Sequence, residues 1–187
     1  MDALCLILCA KLRTENGKKE KNVGLTMKPV FNIRKDENLY ITDTWFSNGH
    51  WVFKRDILKF PRCPKPLLAL ENLKFGRYIR GIVGGAPTEI ELPNMFDSVI
   101  PKREGYRLVS DFPIGVTFKN ETEVSAYKYR VDVTSGQTEF EIGVAHRYVP
   151  LLSLGYAFAK TSSEPILLLS GESINDDLIG VIMPLKL

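Results

Sequence analysis

The chain has 187 residues, of which 44% are hydrophobic and 25% charged, a composition that excludes a disordered chain. Its 14 Gly and 11 Pro follow no period, which excludes a collagen-like repeat, and its length fits one large domain or two small ones. The net charge is only +3, so a nucleic-acid partner would require basic residues concentrated on one face.

The first predicted element is a helix over residues 1–14, built on an apolar run at residues 3–10. This run is far below the ~20 residues needed to cross a bilayer. Asp2 precedes it, where a signal peptide would carry basic residues. We therefore expect neither a membrane span nor a signal peptide. The basic stretch at residues 15–22 is predicted to be a solvated loop, with a nucleic-acid contact as the alternative.

Cysteine and histidine are sparse. Cys5, Cys9 and Cys63 form no CxxC motif, and His50 and His146 are the only histidines. This set predicts no metal site and no cofactor. Buried, reduced thiols favour a cytoplasmic location.

The first half continues with short strands and a second helix. Turn residues separate β-branched and aromatic runs, which predict strands at residues 29–33, 38–42 and 50–53. Three prolines make residues 60–66 a connection. Partial helical periodicity predicts a helix over residues 67–83, ended by Gly84 and Gly85. An alternating pattern then predicts a strand at residues 88–92.

The second half follows a linker at residues 93–105 and is richer in strand signals. Alternating β-branched and aromatic residues predict strands at 115–119, 123–133 and 138–144. A third helix is predicted from residue 145 to 159, with Pro150 tolerated in its first turns. Two closing strands, at residues 165–169 and 178–184, are expected to form a hairpin. The predicted fold class is α+β, with two similar modules at 1–95 and 96–187, each an antiparallel sheet with helices on one side.

Three segments of the second half carry a resemblance. They read MFDSVIPK at residues 95–102, TEFEIGVAHRYVPLLSL at 138–154 and LIGVIMPLKL at 178–187. In order and spacing they resemble the last module of the bacterial DNA polymerase III β sliding clamp family. In the first half, residues 39–43 with Gly49 and His50 are similar to a strand and turn of that family, interrupted by residues 44–48 as if by an insertion.

The resemblance implies a DNA-clamp-like fold, covering the last two modules of a three-module subunit. Members of the family close a ring around duplex DNA without base-specific contacts and tether a polymerase. The resemblance therefore implies a non-enzymatic processivity factor and a homo-oligomer, most simply a trimer. Basic residues expected to face the DNA are Lys11, Arg13, Lys74, Arg77 and Arg80.

The family also binds peptides of polymerases and clamp loaders in a hydrophobic cleft. Carried over by motif, the peptide-binding positions are Thr42, Gly49, His50, Trp51, Val52, Val99, Pro165, Val181, Met183, Pro184 and Leu185. Where the family has arginine and leucine after the histidine, this chain has Trp51 and Val52, so the cleft is expected to differ in shape.

Two other functions stay open. The chain can be a clamp-derived interaction protein that binds client peptides or a host clamp without encircling DNA. It can also be a β-rich structural protein of a phage particle. No catalytic constellation, P-loop or GxGxxG motif emerges from the sequence, so we do not expect an enzyme.

Overall fold

The computed structural model describes residues 28–34, 36–78, 100–120, 123–131 and 140–186. Within these ranges the strands are β1 Leu39–Ile41, β2 Trp45–Ser47, β3 Trp51–Lys54, β4 Gly76–Tyr78, β5 Arg107–Leu108, β6 Gly115–Asn120, β7 Glu123–Val131, β8 Phe140–Ala145, β9 Tyr156–Ala159, β10 Ile166–Leu169 and β11 Leu178–Ile182. The helical elements there are α1 Lys65–Leu68, α2 Val149–Leu152 and the 3-10 turns Arg55–Lys59 and His146–Tyr148. In coarse terms this is the predicted α+β class, dominated by antiparallel sheet.

Strands from both halves of the chain join in one sheet. Its eight strands follow the order β4-β1-β2-β3-β11-β10-β9-β5, and every pairing is antiparallel. The central pairing is between β3 and β11, where Val52 lies opposite Val181. A second sheet has the order β6-β7-β8.

Two single bridges connect the two sheets. Val109, just after β5, bridges to Val131 at the end of β7, and Leu185 bridges to Gly143 of β8. The Leu185 N–H donates to the Gly143 carbonyl at 2.9 Å. Pro184 lies between Met183, which is bonded to the strand end before β3, and Leu185, which is bonded to β8. Proline has no backbone N–H, so no donor is left unpaired where the chain changes from one partner strand to the other. The strands β11, β10, β9, β5, β7 and β8 therefore form a closed circuit.

The eight-stranded sheet is buried on both faces at its centre. Every residue of β10 and of β11 is buried, as the near-continuous apolar runs of these strands require. The larger core cluster includes Trp51, Ile142 and Ile182, and a smaller cluster on the opposite face includes Tyr106, Leu167 and Val181. Because the larger cluster contains residues from both halves, one core holds them together.

Several predicted strands are confirmed. The predictions at residues 38–42 and 50–53 correspond to β1 and β3, and those at 115–119, 123–133 and 138–144 to β6, β7 and β8. The closing hairpin is confirmed by the antiparallel pairing of β10 and β11. The predicted helix at 1–14, the strand at 88–92 and most of the linker lie outside the described residues.

The helix predicted over residues 67–83 is wrong for the part that the structure describes. Helix α1 ends at Leu68, turns follow, and Gly76–Tyr78 form β4, which pairs with β1. Of the apolar side chains that gave partial helical periodicity, Leu70 and Leu73 lie in the segment between α1 and β4, Tyr78 is buried on β4, and Ile82 lies outside the described residues. Pairing with β1 is a long-range interaction that overrides local propensity.

The helix predicted over residues 145–159 is wrong beyond Leu152. The helical part spans a 3-10 turn and α2, with Pro150 in its first turn, and Tyr156–Ala159 form β9 between β10 and β5. Gly155 allows the chain to pass from α2 to β9 close to β10, since a Cβ there would lie 2.5 Å from the Leu169 carbonyl oxygen.

Two strand predictions are also corrected. Residues 29–33 form no strand, although Phe31 is buried against Trp51. Conversely, residues 44–48, interpreted as an insertion, supply β2 between β1 and β3.

Candidate functional site

Three adjacent strand ends bring together part of the predicted peptide-binding set. Ile182 of β11 pairs with Trp51 of β3 and with Ile166 of β10. The next residues at this end of the three strands are His50, Pro165 and Met183. The Met183 N–H donates to the His50 carbonyl at 2.8 Å, which extends the β3–β11 pairing to these residues.

Strand alternation places these side chains on one face of the sheet. Side chains two residues apart along a strand share a face, so Val52 and Val181 lie on the same face as His50 and Met183. Both valines are buried in the smaller core cluster. They form the apolar base from which the exposed strand ends project.

Met183 and Leu185 are the exposed apolar members of this region, each with 38% of its surface accessible. Pro165 and Pro184 are half-buried, and His50 is exposed. The His50 ring centroid lies 6.4 Å from that of Tyr148, whose pKa is raised by burial. We call His50, Pro165, Met183 and Leu185 the strand-end patch.

Trp51 lies on the opposite face. It is 1% exposed and packs edge-on against Phe31 and Phe46, with ring centroids 6.0 and 5.8 Å away. A side chain buried to this degree offers no contact surface to a peptide. Trp51 and Val52, which the resemblance assigns together to peptide binding, therefore lie on opposite faces of the sheet, because neighbouring residues of a strand face opposite ways.

The remaining predicted peptide-binding residues are not part of the patch. Thr42 follows the last residue of β1 and lies at the other end of the strands from His50. Its hydroxyl oxygen accepts from the Trp45 N–H at 2.8 Å in the β1–β2 turn. Gly49 occupies the β2–β3 turn with a φ of 86°, a value that favours glycine. Val99 lies outside the described residues.

The β2–β3 turn beside the patch is held by side chains. The side-chain amide oxygen (Oδ1) of Asn48 accepts from the N–H groups of His50 and Trp51 at 3.0 and 3.2 Å. The Ser47 hydroxyl donates to the Trp51 carbonyl at 2.7 Å and accepts from the Gly49 N–H at 3.0 Å. These bonds fix the direction in which His50 leaves β3.

A largely buried ion pair links this turn to the second half of the chain. Glu37, whose side chain is 11% exposed, pairs with the guanidinium of Arg147 and accepts from the Asn48 amide at 3.0 Å. The Arg147 guanidinium also lies over the Tyr148 ring, 4.6 Å from its centroid. The side of the patch that carries His50 is therefore anchored to both halves.

Of the residues expected to face DNA, the structure describes Lys74 and Arg77. Lys74 is exposed in the turn before β4, and Arg77 lies on β4 at the edge of the sheet, with its guanidinium 5.7 Å from the Tyr40 ring centroid. The two therefore do not share a helix face. Lys11, Arg13 and Arg80 lie outside the described residues.

A second surface feature was not predicted from the sequence. A groove of about 590 Å³ runs between the end of the first 3-10 turn, α2 and the start of β9. Residues that define this groove are Phe60, Arg62, Asp111, Tyr129, Leu152 and Tyr156. They come from four separate stretches of chain, so no local motif marks the groove; the Pro-rich segment at 60–66 is the nearest signal.

Three further findings concern metal binding, membrane spans and similarity to known proteins. In the described part of the chain, no three His, Cys, Asp or Glu side chains are grouped so that they could hold a metal ion. None of the helices described has the length and apolar character that crossing a membrane requires. No family model, curated protein or solved structure matches this chain.

Proposed function

We propose that this chain is a non-enzymatic, clamp-like interaction protein that holds client peptides at the strand-end patch. The observation that carries the proposal is the convergence of His50, Pro165 and Met183, which are far apart in sequence, on one face at the ends of three paired strands. The resemblance to the sliding clamp family assigns all three to peptide binding.

The chemistry of the patch supports an apolar peptide anchor. The flexible thioether of Met183 adapts to different side chains, and Pro165 and Leu185 add apolar surface beside it. Such peptides order on binding and rely on a few apolar anchors. The patch rests on two strands that are buried along their whole length, so its base is rigid.

Titration of a fluorescent polymerase-tail peptide tests this proposal. We expect Met183→Lys to weaken binding at least about tenfold, or ~1.4 kcal/mol, because the ammonium group has to be desolvated against the peptide anchor. Leu68→Lys is the matched control, since Leu68 is 39% exposed, like Met183, but lies on α1. Equal affinities for the wild type and both folded variants would contradict the proposal.

The DNA-encircling form of this function is the second candidate, favoured by the resemblance to a ring-forming family. The resemblance implies for this form two modules per chain, at 1–95 and 96–187, with helices on one side of their sheets, and most simply three chains per ring. The eight-stranded sheet that both halves share does not favour two separate modules. The separation of Lys74 from Arg77 instead favours the form that does not encircle DNA. Light scattering with and without DNA, together with retention on circular and linear DNA, distinguishes the two candidates. A trimer that stays bound to closed circular DNA but slips off a linearised copy supports the ring. A monomer or dimer that DNA does not affect contradicts it.

A further inference from the structure

The groove presents an apolar floor with an exposed aromatic rim. Tyr129 and Val109 form part of the floor and are 4% and 6% exposed, whereas Phe60 and Tyr156 on the rim are 36% and 39% exposed. Two aromatic rings that are accessible at the mouth of an apolar depression favour an apolar occupant. None of the strand-end patch residues lines the groove, so its occupant is a question separate from the proposed function.

The groove also carries one cation and one anion without partners among the described residues. Arg62 and Asp111 both line it and both are exposed. Neither forms an ion pair with another described residue, including each other. A fitting partner therefore brings one charge of each sign together with its apolar group.

An exposed aromatic residue stands directly beside the groove. Phe112 follows Asp111 and is 80% exposed, the highest value among the large hydrophobic residues described. Its loop is held on both sides, because the Ser110 and Ile114 N–H groups donate to carbonyls of β7 at 2.9 and 2.8 Å. The Ser110 hydroxyl also donates to the Phe112 carbonyl at 3.1 Å. Phe112 is thus presented on an ordered loop, which lowers the entropy lost on binding.

We propose that the groove receives Phe112 from a second copy of this chain, which gives a two-fold symmetric dimer. A two-fold interface must be self-complementary: each surface offers what the other needs. Here one surface carries the aromatic knob, the apolar groove, the cation and the anion. Across the two-fold axis, Phe112 of each copy enters the groove of the other, and each Arg62 pairs with the opposite Asp111.

This occupant explains more than a peptide from another protein does. An unrelated peptide would account for the groove but would leave Phe112 exposed beside it. The second copy buries Phe112 and neutralises both charges with the same set of contacts. An aromatic anchor in a desolvated pocket is typical of the residues that dominate binding energy.

Sedimentation from about 1 to about 100 µM protein tests the dimer, a range that brackets micromolar affinity. We expect a monomer–dimer equilibrium for the wild type and at least tenfold weaker association for Phe112→Ser. Val30→Ser is the matched control, since Val30 is 71% exposed and does not line the groove. Phe112 is already exposed in the monomer, so its replacement is not expected to impair folding; circular dichroism checks this.

A charge swap tests the pairing itself. Arg62→Glu and Asp111→Arg, each alone, are expected to place like charges opposite each other and weaken association at least tenfold. The double variant restores opposite charges and is expected to recover the wild-type dimer. A wild type that stays monomeric, a dimer indifferent to Phe112→Ser, or a double variant no better than the single ones would overturn the proposal.

Discussion

Individual side chains add polar links between the two halves of the chain to their shared sheet and core. The Glu37–Arg147 pair bridges residues 110 positions apart, and Asn48 contributes a hydrogen bond to the same carboxylate. In contrast, the Arg34–Asp36 pair is local and its side chains are 60% and 66% exposed. Because their burial differs, the two ion pairs are expected to contribute differently to the free energy of unfolding, although each is formed by an arginine and a carboxylate.

Arg147→Ala is expected to lower the free energy of unfolding by about 2 kcal/mol, because it leaves a largely buried carboxylate without its cation. Arg34→Ala, which breaks the exposed pair, is the control and is expected to leave stability unchanged. Urea unfolding followed by tryptophan fluorescence measures both. If the two variants unfolded at the same urea concentration, the Glu37–Arg147 pair would not contribute to stability.

The amino-acid sequence made part of the candidate site predictable at this scale. His50 and Met183 could be named because each lies in a short segment that resembles a motif, and the structure places them together. Once residues 50–53 are a strand, alternation places Trp51 and Val52 on opposite faces of the sheet, and both side chains are buried. The groove could not be foreseen, since Arg62 and Asp111 come together only through tertiary packing.

At the scale of elements, strands β3 and β11 approach unusually closely at one position. A Cβ on Gly180 of β11 would overlap a ring carbon of Phe53 and lie 2.6 Å from the Val52 carbonyl oxygen. The Phe53 ring therefore packs over the bare backbone of β11. Only glycine allows both the central strand pairing and the aromatic packing beside it.

Gly180→Ala is expected to destabilise the protein by about 1–3 kcal/mol, because the backbone contact cannot relax without shifting β3 from β11. Gly115→Ala is the matched control: Gly115 also lies in a strand, but its Cβ would meet only the Lys128 side chain at 3.7 Å, an ordinary contact. Thermal unfolding compares the two. A Gly180→Ala protein as stable as the control would show that the strands separate here without loss.

Strands with strong local signals were the elements that sequence predicted best. β7 and β8 are long, alternating and separated by turn residues, and both were identified. The two helix predictions that fall on described residues, at 67–83 and 145–159, were wrong where an apolar periodicity of about 3.6 concealed a short strand. β4 and β9 have three and four residues, and the partners that stabilise them lie in β1, β5 and β10, so a local pattern could not reveal them.

At the scale of the whole molecule, each of the two core clusters contains a buried tyrosine whose pKa is raised. Tyr106 belongs to the smaller cluster and Tyr129 to the larger one. Burial raises the pKa of each phenol from 10.0 to about 12, with a further contribution from the charge of Glu164 at Tyr106 and from Tyr127 at Tyr129. The folded state therefore holds these protons more tightly than the unfolded chain does.

The stability associated with these phenols is fully present below pH 10 and is lost as the pH rises towards 12, because only the unfolded chain ionises freely in this range. We expect cooperative alkaline unfolding, in which tyrosinate absorbance and circular dichroism change together. Tyr106→Phe is expected to move the midpoint to higher pH, since its hydroxyl has no hydrogen-bond partner among the residues that the structure describes. Tyr156→Phe, at an exposed tyrosine, is the control and is expected to leave the midpoint unchanged. Two tyrosines that ionised near pH 10 without any loss of structure would contradict this account.

The position of β11 in the chain has a consequence for synthesis. β11 comes after every other described strand in sequence, yet it lies in the middle of the eight-stranded sheet, between β3 and β10. While the polypeptide is growing on the ribosome, the edge of β3 that pairs with β11 therefore remains unpaired until β11 emerges. Contacts between such distant positions form slowly, and edges left open in the meantime invite aggregation. A nascent chain arrested before β11 should be sensitive to protease and dependent on chaperones, and it should become resistant once this strand has left the exit tunnel.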